Sequence, residues 1–111
     1  MADSVRAALI NEYRQRQREL ARSVVERPLA TPPRLIAAVD VHLRGTQGVA
    51  AAVLCAYPTL EELAHYVALG QVPFPYIPGL LSYREAPLCL EAIRGLPESP
   101  DLILVDGQGR A

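Results

Sequence analysis

The sequence predicts an α/β domain with the element order α-β-β-β-α-β. Three observations carry this prediction. Residues 35–43 and 49–57 are two almost unbroken apolar runs on either side of a glycine-bearing turn, the pattern of an antiparallel hairpin of buried strands. Residues 3–26 and 84–95 space their apolar side chains with a helical period. Residues 102–105, Leu-Ile-Leu-Val, form a last apolar run that closes on Asp106-Gly107-Gln108-Gly109.

A chain of 111 residues has room for one domain, 1–111. Half of it is apolar, 21% is charged and the formal net charge is −1, which excludes a disordered chain. A nearly neutral chain has no overall field to draw in nucleic acid, so such a partner has to be held by a local patch. No apolar run approaches the roughly 20 residues that span a bilayer, so no membrane segment is expected. The first residues lack the basic-then-apolar pattern of a secretory signal. Cys55 and Cys89 each lie inside an apolar stretch and read as buried free thiols of a reducing, cytoplasmic compartment. All eleven basic residues are arginine, which reflects genomic composition more than chemistry, although arginine suits phosphate contacts.

In order along the chain, the first helix carries Val5, Leu9, Tyr13, Leu20 and Val24 on one stripe, with a gap at Arg16 and Gln17. Asp3 or Ser4 can cap it and Pro28 ends it. Arg14, Arg16, Arg18 and Arg22 cluster there, but Glu12, Glu19 and Glu26 dilute them into a solvated face. Residues 27–34, with Pro28, Pro32 and Pro33, form a stiff linker. The hairpin turn falls in 44–48, and Pro58 breaks the second strand. Residues 59–69 admit two readings. Thr59 with Glu62 resembles a helix capping box, whereas the alternation of Leu63, His65, Val67 and Leu69 with Ala64, Tyr66 and Ala68 suits a third strand. Residues 70–79 form a loop with prolines at 73, 75 and 78. The second helix offers Leu88, Leu90, Ala92 and Ile93 to the core. It should start close to Arg84, because Pro87 is tolerated only in a first turn. Pro97 and Pro100 bound its exit, and the last apolar run reads as a buried strand.

Asp40 interrupts the most apolar strand and shares one face with Ile36, Ala38 and His42. An ionised carboxylate there costs several kcal/mol of desolvation unless it is paired or binds a metal. Asp106 repeats the situation at the end of 102–105, with glycines behind it that let a ligand approach the backbone. If the two strands are adjacent and parallel, Asp40 and Asp106 converge at strand ends, where open α/β sheets bind ligands. The plainer alternatives are an Asp-Gly turn for Asp106 and an arginine partner for Asp40. Glu85 is the third acid. Ser82 three residues before it fits a capping box, a reading that Pro87 weakens. Three carboxylates form the hard oxygen set that Mg²⁺ prefers, and two such ions suit phosphodiester hydrolysis. His42 is a ligand or base candidate beside Asp40, and more commonly a satisfied strand-end histidine; His65 carries no signal beyond its position. Tyr76, held between Pro75 and Pro78, is either a rigid packing turn or a wedge into a base stack. No glycine loop of the kind that cradles a phosphate stands beside a helix start, which disfavours other phosphate-handling domains.

Taken together, Ala37-Ala38-Val39-Asp40-Val41, the block Pro75-Tyr76-Ile77-Pro78-Gly79 continuing to Arg84-Glu85-Ala86-Pro87, and Pro100-Asp101 through Val105-Asp106-Gly107-Gln108-Gly109 resemble the endonuclease V family, the deoxyinosine 3′ endonucleases. The resemblance covers almost the whole chain, and the Pro-Tyr-Ile-Pro-Gly block is its most specific part. It implies a ribonuclease H-like mixed sheet, an antiparallel meander plus a parallel strand with flanking helices, and makes 59–69 mainly a strand. It implies Mg²⁺- or Mn²⁺-dependent nicking of DNA on the 3′ side of a deaminated base, with inosine-bearing RNA the target of some members. The catalytic, metal-binding acids fall on Asp40, Glu85 and Asp106. The strand-separating wedge falls on Pro75, Tyr76, Ile77, Pro78 and Gly79, and the flipped-base pocket on backbone around Gly79, Leu81 and Gly107. A base read by main-chain groups fits the low cost of extruding a mispaired nucleotide. Family members continue beyond the equivalent of Ala111 with a helix, a lysine and another metal-site residue, so the sequence reads as the amino-terminal portion of such an enzyme. Only two helices are present to cover four strands, so one sheet face is expected to expose apolar surface that can dock another chain. A non-catalytic docking fragment is therefore the alternative function.

Overall fold

The structure, a computed structural model, describes residues 3–72 and 81–106. Helix α1 (Asp3–Arg22) is followed by strands β1 (Leu35–Arg44), β2 (Gln47–Ala56) and β3 (Glu62–Gln71), helix α2 (Leu81–Arg94) and strand β4 (Leu102–Val105). The four strands make one mixed sheet in the order β3-β2-β1-β4. β1 and β2 pair antiparallel from Leu35↔Ala56 to Arg44↔Gln47. Only Gly45 and Thr46 are left for the turn, and Gly45 takes a φ of +62°, a value that suits glycine at the head of a two-residue hairpin loop. β3 pairs antiparallel with β2, with an irregularity at Leu54/Cys55, and β4 pairs parallel with β1. The expected α/β architecture and mixed sheet are thus present.

The segment 59–69 resolves as a strand. Thr59 Oγ1 accepts the Glu61 N–H at 3.4 Å, closing a short turn rather than capping a helix. β2 then satisfies the backbone of the residues that follow. α1 is shorter than its apolar stripe: the Ser23 N–H donates to the Leu20 carbonyl at 2.9 Å, and the chain leaves the helix toward the proline linker. α2 begins three residues before the expected start, so Pro87 lies inside it. Pro87 is the seventh residue of α2, nearly two turns from its start; it removes the bond to the Tyr83 carbonyl, its ring is exposed, and the helix continues through it. Ser82 is accordingly a helical residue and not a cap.

The core lies between α2 and one face of the sheet. Leu88, Ala92 and Leu96 pack on Ala37, Val39, Ala50, Ala52, Leu54 and Ala68. The alternation is strict, so β1 sends 35, 37, 39 and 41 toward α2 and 36, 38, 40 and 42 away from it. Alanines on the sheet let the helix come close, and full burial of Leu54 contributes about 1.5–3 kcal/mol. The expectation of strands buried on both faces is corrected here. Ile36 is buried on the far face, but Val49, Leu63, Val67 and Leu69 are exposed there. β4 departs furthest, with Ile103, Leu104 and Val105 at 41%, 53% and 61% exposure. It is an edge strand outside the cover of α2, and among the described residues nothing packs over it. Cys55 and Cys89 are free thiols and half-buried.

Candidate functional site

The β1/β4 ladder decides where the acids fall. Its pairs run from Ile36↔Leu102 to Val39↔Val105, and the residues that follow the last pair are Asp40 on β1 and Asp106 just past the end of β4. Adjacent strands lie about 4.8 Å apart, and paired residues of a parallel ladder point to the same face. Asp40 and Asp106 thus each follow the last pair of the ladder by one residue, and both are exposed. The Asp40 carboxylate accepts the Val41 N–H through Oδ1 at 2.9 Å, which orients it. The desolvation cost expected at Asp40 is corrected by this exposure: Asp40 lies in the middle of β1, on the face turned away from α2.

Glu85 arises from α2, which covers the opposite face of the sheet. It is half-buried and stands one helical turn before Cys89. Cys89 registers both acids: burial pushes its thiol pKa up, and the charges of Glu85 and then Asp40 push it further in the same direction. Among the described residues, however, no three His, Cys, Asp or Glu side chains are gathered closely enough to hold a metal ion. Asp40 lies on β1, Asp106 directly after β4 and Glu85 on α2, and the three are not closed into a cluster.

His42 is exposed two residues beyond Asp40 on the same face. His65 lies on β3, 3.3 Å from Glu62, away from the acids. Leu81 is the first residue of α2. Pro75, Tyr76, Ile77, Pro78, Gly79 and Gly107 lie outside the described residues. No helix among the described residues is long and apolar enough to cross a membrane.

Asp101 is the residue that the reading of single acids passed over. Its Oδ2 accepts the N–H groups of Arg34 at 2.9 Å and Leu35 at 3.0 Å, and its own N–H donates to the Leu35 carbonyl at 2.9 Å. The two amide bonds, Arg34 first, and the nearby Arg34 charge hold its carboxyl below the usual range against the opposing effect of desolvation. The signal was available: a short acid between Pro100, which has no N–H, and an apolar strand.

A family model described as Endonuclease V matches residues 18–111. The endonuclease V of Geotalea uraniireducens is 44% identical over 102 residues, covering 92% of this chain and 44% of that protein. The crystal structure of endonuclease V from Streptomyces avermitilis superposes with a TM-score of 0.79 at 40% identity, covering 87% of this chain and 44% of that one. Endonuclease V of Ciona intestinalis, solved with a 24mer DNA containing an inosine followed by a ribo-adenosine, shares the fold with a TM-score of 0.78 at 19% identity over 90% of this chain and 46% of its own. The chain thus spans less than half the length of these relatives. With the matched model reaching from the first helix through β4, the chain belongs to the endonuclease V family.

Proposed function

We propose that this chain carries the metal-binding carboxylates of an endonuclease that nicks inosine-containing DNA on the 3′ side of the lesion. The observation that supports the reading most is the β1/β4 register, whose last pair, Val39↔Val105, stands one residue before Asp40 and Asp106. The donor set fits a hard divalent cation, Mg²⁺ or Mn²⁺: three carboxylates with no sulfur or nitrogen required. Asp40 on β1 and Asp106 just after β4 would hold it, with Glu85 from α2. When bound, the cation supplies charge neutralisation at the phosphodiester and a lowered pKa for the attacking water. The Val41 amide holds Asp40 through Oδ1 and leaves Oδ2 as the oxygen it offers. Pro75, Tyr76, Ile77, Pro78 and Gly79 would hold the strands apart, with Tyr76 inserted, and backbone around Gly79, Leu81 and Gly107 would receive the flipped base. Inosine in RNA is the second substrate of the same chemistry. The half-buried free thiols suit a cytoplasmic setting.

The test is Mn²⁺ binding and nicking of an inosine-containing duplex by the wild type and by Asp40→Ala. Loss of both in the variant is expected; equal binding and nicking by the two proteins refutes the assignment. Tyr76→Ala should weaken capture of inosine DNA and leave Mn²⁺ binding intact. A second reading, a docking module without catalysis, is favoured by the exposure of Ile103, Leu104 and Val105. A monomeric mass on size exclusion together with Asp40-dependent nicking removes it.

A further inference from the structure

We propose that Asp101 is the positioning residue that sets the β1/β4 register and so aligns Asp106 with Asp40, an inference that rests on the reading of those two acids as metal ligands. β4 is four residues long, its side chains are largely exposed, and α2 does not cover it. Register is strongly specified where one face of a strand is buried, and weakly where it is not. Packing therefore does little to choose among alignments of β4 on β1.

Asp101 supplies what packing does not. Three hydrogen bonds tie it to Arg34 and Leu35, at the very start of β1. Its carboxylate accepts both amides at the step of the ladder next to Pro100. With Asp101 fixed against Leu35, Leu102 is set on Ile36 and the ladder runs on to Val39↔Val105. A slip of one residue would move Asp106 by about 3.3 Å along the strand and turn its side chain to the other face. The clamp sits at one end of β4 and the acid at the other, so Asp101 acts on the site only through register.

Both amides donate to the same oxygen, Oδ2. The Oδ1 of an asparagine placed there can accept both, so the geometry of the acceptor, not its charge, is what alignment needs. The experiment uses the full chain and measures two quantities in the wild type, Asp101→Ala, Asp101→Asn and Asp40→Ala. One is Mn²⁺ affinity; the other is the set of NMR contacts between β1 and β4, with contacts of Leu88 and Ala92 on the sheet as the folded control. Asp101→Ala should lose the Ile36–Leu102 and Val39–Val105 contacts, keep the α2 contacts, and bind Mn²⁺ at least tenfold more weakly. Asp101→Asn should keep both. Wild-type β1/β4 contacts and Mn²⁺ affinity in Asp101→Ala, or their loss in Asp101→Asn, overturns the proposal. If Mn²⁺ binds the wild type and Asp40→Ala alike, the metal reading fails, and the β1/β4 contacts still decide the role of Asp101 in register. Should Asp101→Ala not fold, hydrogen exchange in the wild type decides: the Arg34 and Leu35 amides should be protected, and exchange as fast as the amides of Ala30 and Thr31 overturns the clamp.

Discussion

Replacing Gly95 by alanine tests how α2 is pinned to the sheet that carries the acids. Gly95 follows the last residue of α2, and its N–H donates to the carbonyls of Glu91 at 3.1 Å and Ala92 at 3.3 Å. Its φ is not positive, so the backbone accepts an alanine. Space does not: a Cβ there would lie 2.2, 2.3 and 2.4 Å from Cδ1, Cε1 and Cγ of Tyr66 on β3. Carbon atoms in good contact are about 3.5–4.0 Å apart, so the overlap exceeds 1 Å. It includes Cγ, the ring atom nearest the backbone, and is relieved only by turning χ1 or lifting the helix end. Overpacking of this kind costs about 1–3 kcal/mol. Tyr66 is 41% exposed and can swing outward, which places the cost in the lower half of that range. In a domain of this size each kcal/mol lowers Tm by about 4–8 °C. Urea and thermal unfolding of the wild type, Gly95→Ala, Tyr66→Ala and the double variant close the cycle. In the Tyr66→Ala background the same change should be neutral or slightly stabilising, because alanine outranks glycine by about 0.5–1 kcal/mol in a helical setting. A cost that is the same in both backgrounds, within about 0.5 kcal/mol, would refute the steric account.

The one-sided core gives a paired prediction. Leu54→Ala, at 1% exposure beneath α2, should cost about 2–5 kcal/mol in urea unfolding, whereas Leu104→Ala, at 53%, should stay within about 0.5 kcal/mol. Comparable losses at the two positions would mean that β4 is covered after all. Asp101 predicts an acid dependence. Its folded pKa is depressed below 3.8, so its contribution is full above that value and is lost as the pH falls through the folded pKa. Tm measured from about pH 5 downward should therefore fall more steeply in the wild type than in Asp101→Asn, and parallel curves would show that the carboxylate is not held. Gly48→Ala should also destabilise, since its Cβ would come within 2.7 Å of Leu88 Cδ2 and 2.9 Å of Leu43 Cδ2; unchanged urea midpoints would show that both leucines move aside freely.

What the sequence revealed and what it hid follow one physical line. β1 and β2 were legible because alternation and a glycine turn are local signals, and the hairpin needs nothing distant to form. Residues 59–69 were not decidable locally. Thr59 and Glu62 spell a helix start as well as Leu63 and Val67 spell a strand, and pairing to β2 chose between them. Pro87 misled because the rule against proline inside a helix is a cost and not a prohibition: α2 loses one bond there, and Leu88 and Ala92 still pack on the sheet. The burial of β4 was overestimated because Leu-Ile-Leu-Val has the composition of a buried strand, and composition does not say whether a cover is present. Of the site, Asp40 and Asp106 were legible as charges that interrupt or end apolar runs. Asp101 was not, since its role lies in two bonds to residues 66 and 67 positions away.

The placement of the acids links their chemistry to the least anchored strand. β1 is fixed by ten antiparallel pairs to β2 and by the core beneath α2. β4 has four pairs, the Asp101 clamp and little packing. Any divergence between Asp40 and Asp106 therefore arises in β4, and like charges at the end of a weakly held strand resist closing together. On the proposed metal reading, a divalent cation would reverse the sign of that interaction and bind only the aligned form, so cation binding and the docking of β4 would stabilise each other by mass action. Hydrogen exchange gives this linkage a measurable form. Mg²⁺ should slow exchange at the amides of Ile103, Leu104 and Val105 and leave those of Ala50, Ala52 and Leu54 unchanged. Equal slowing in both strands would mean that the cation stabilises the domain as a whole, and that β4 and β1 respond as one rigid unit.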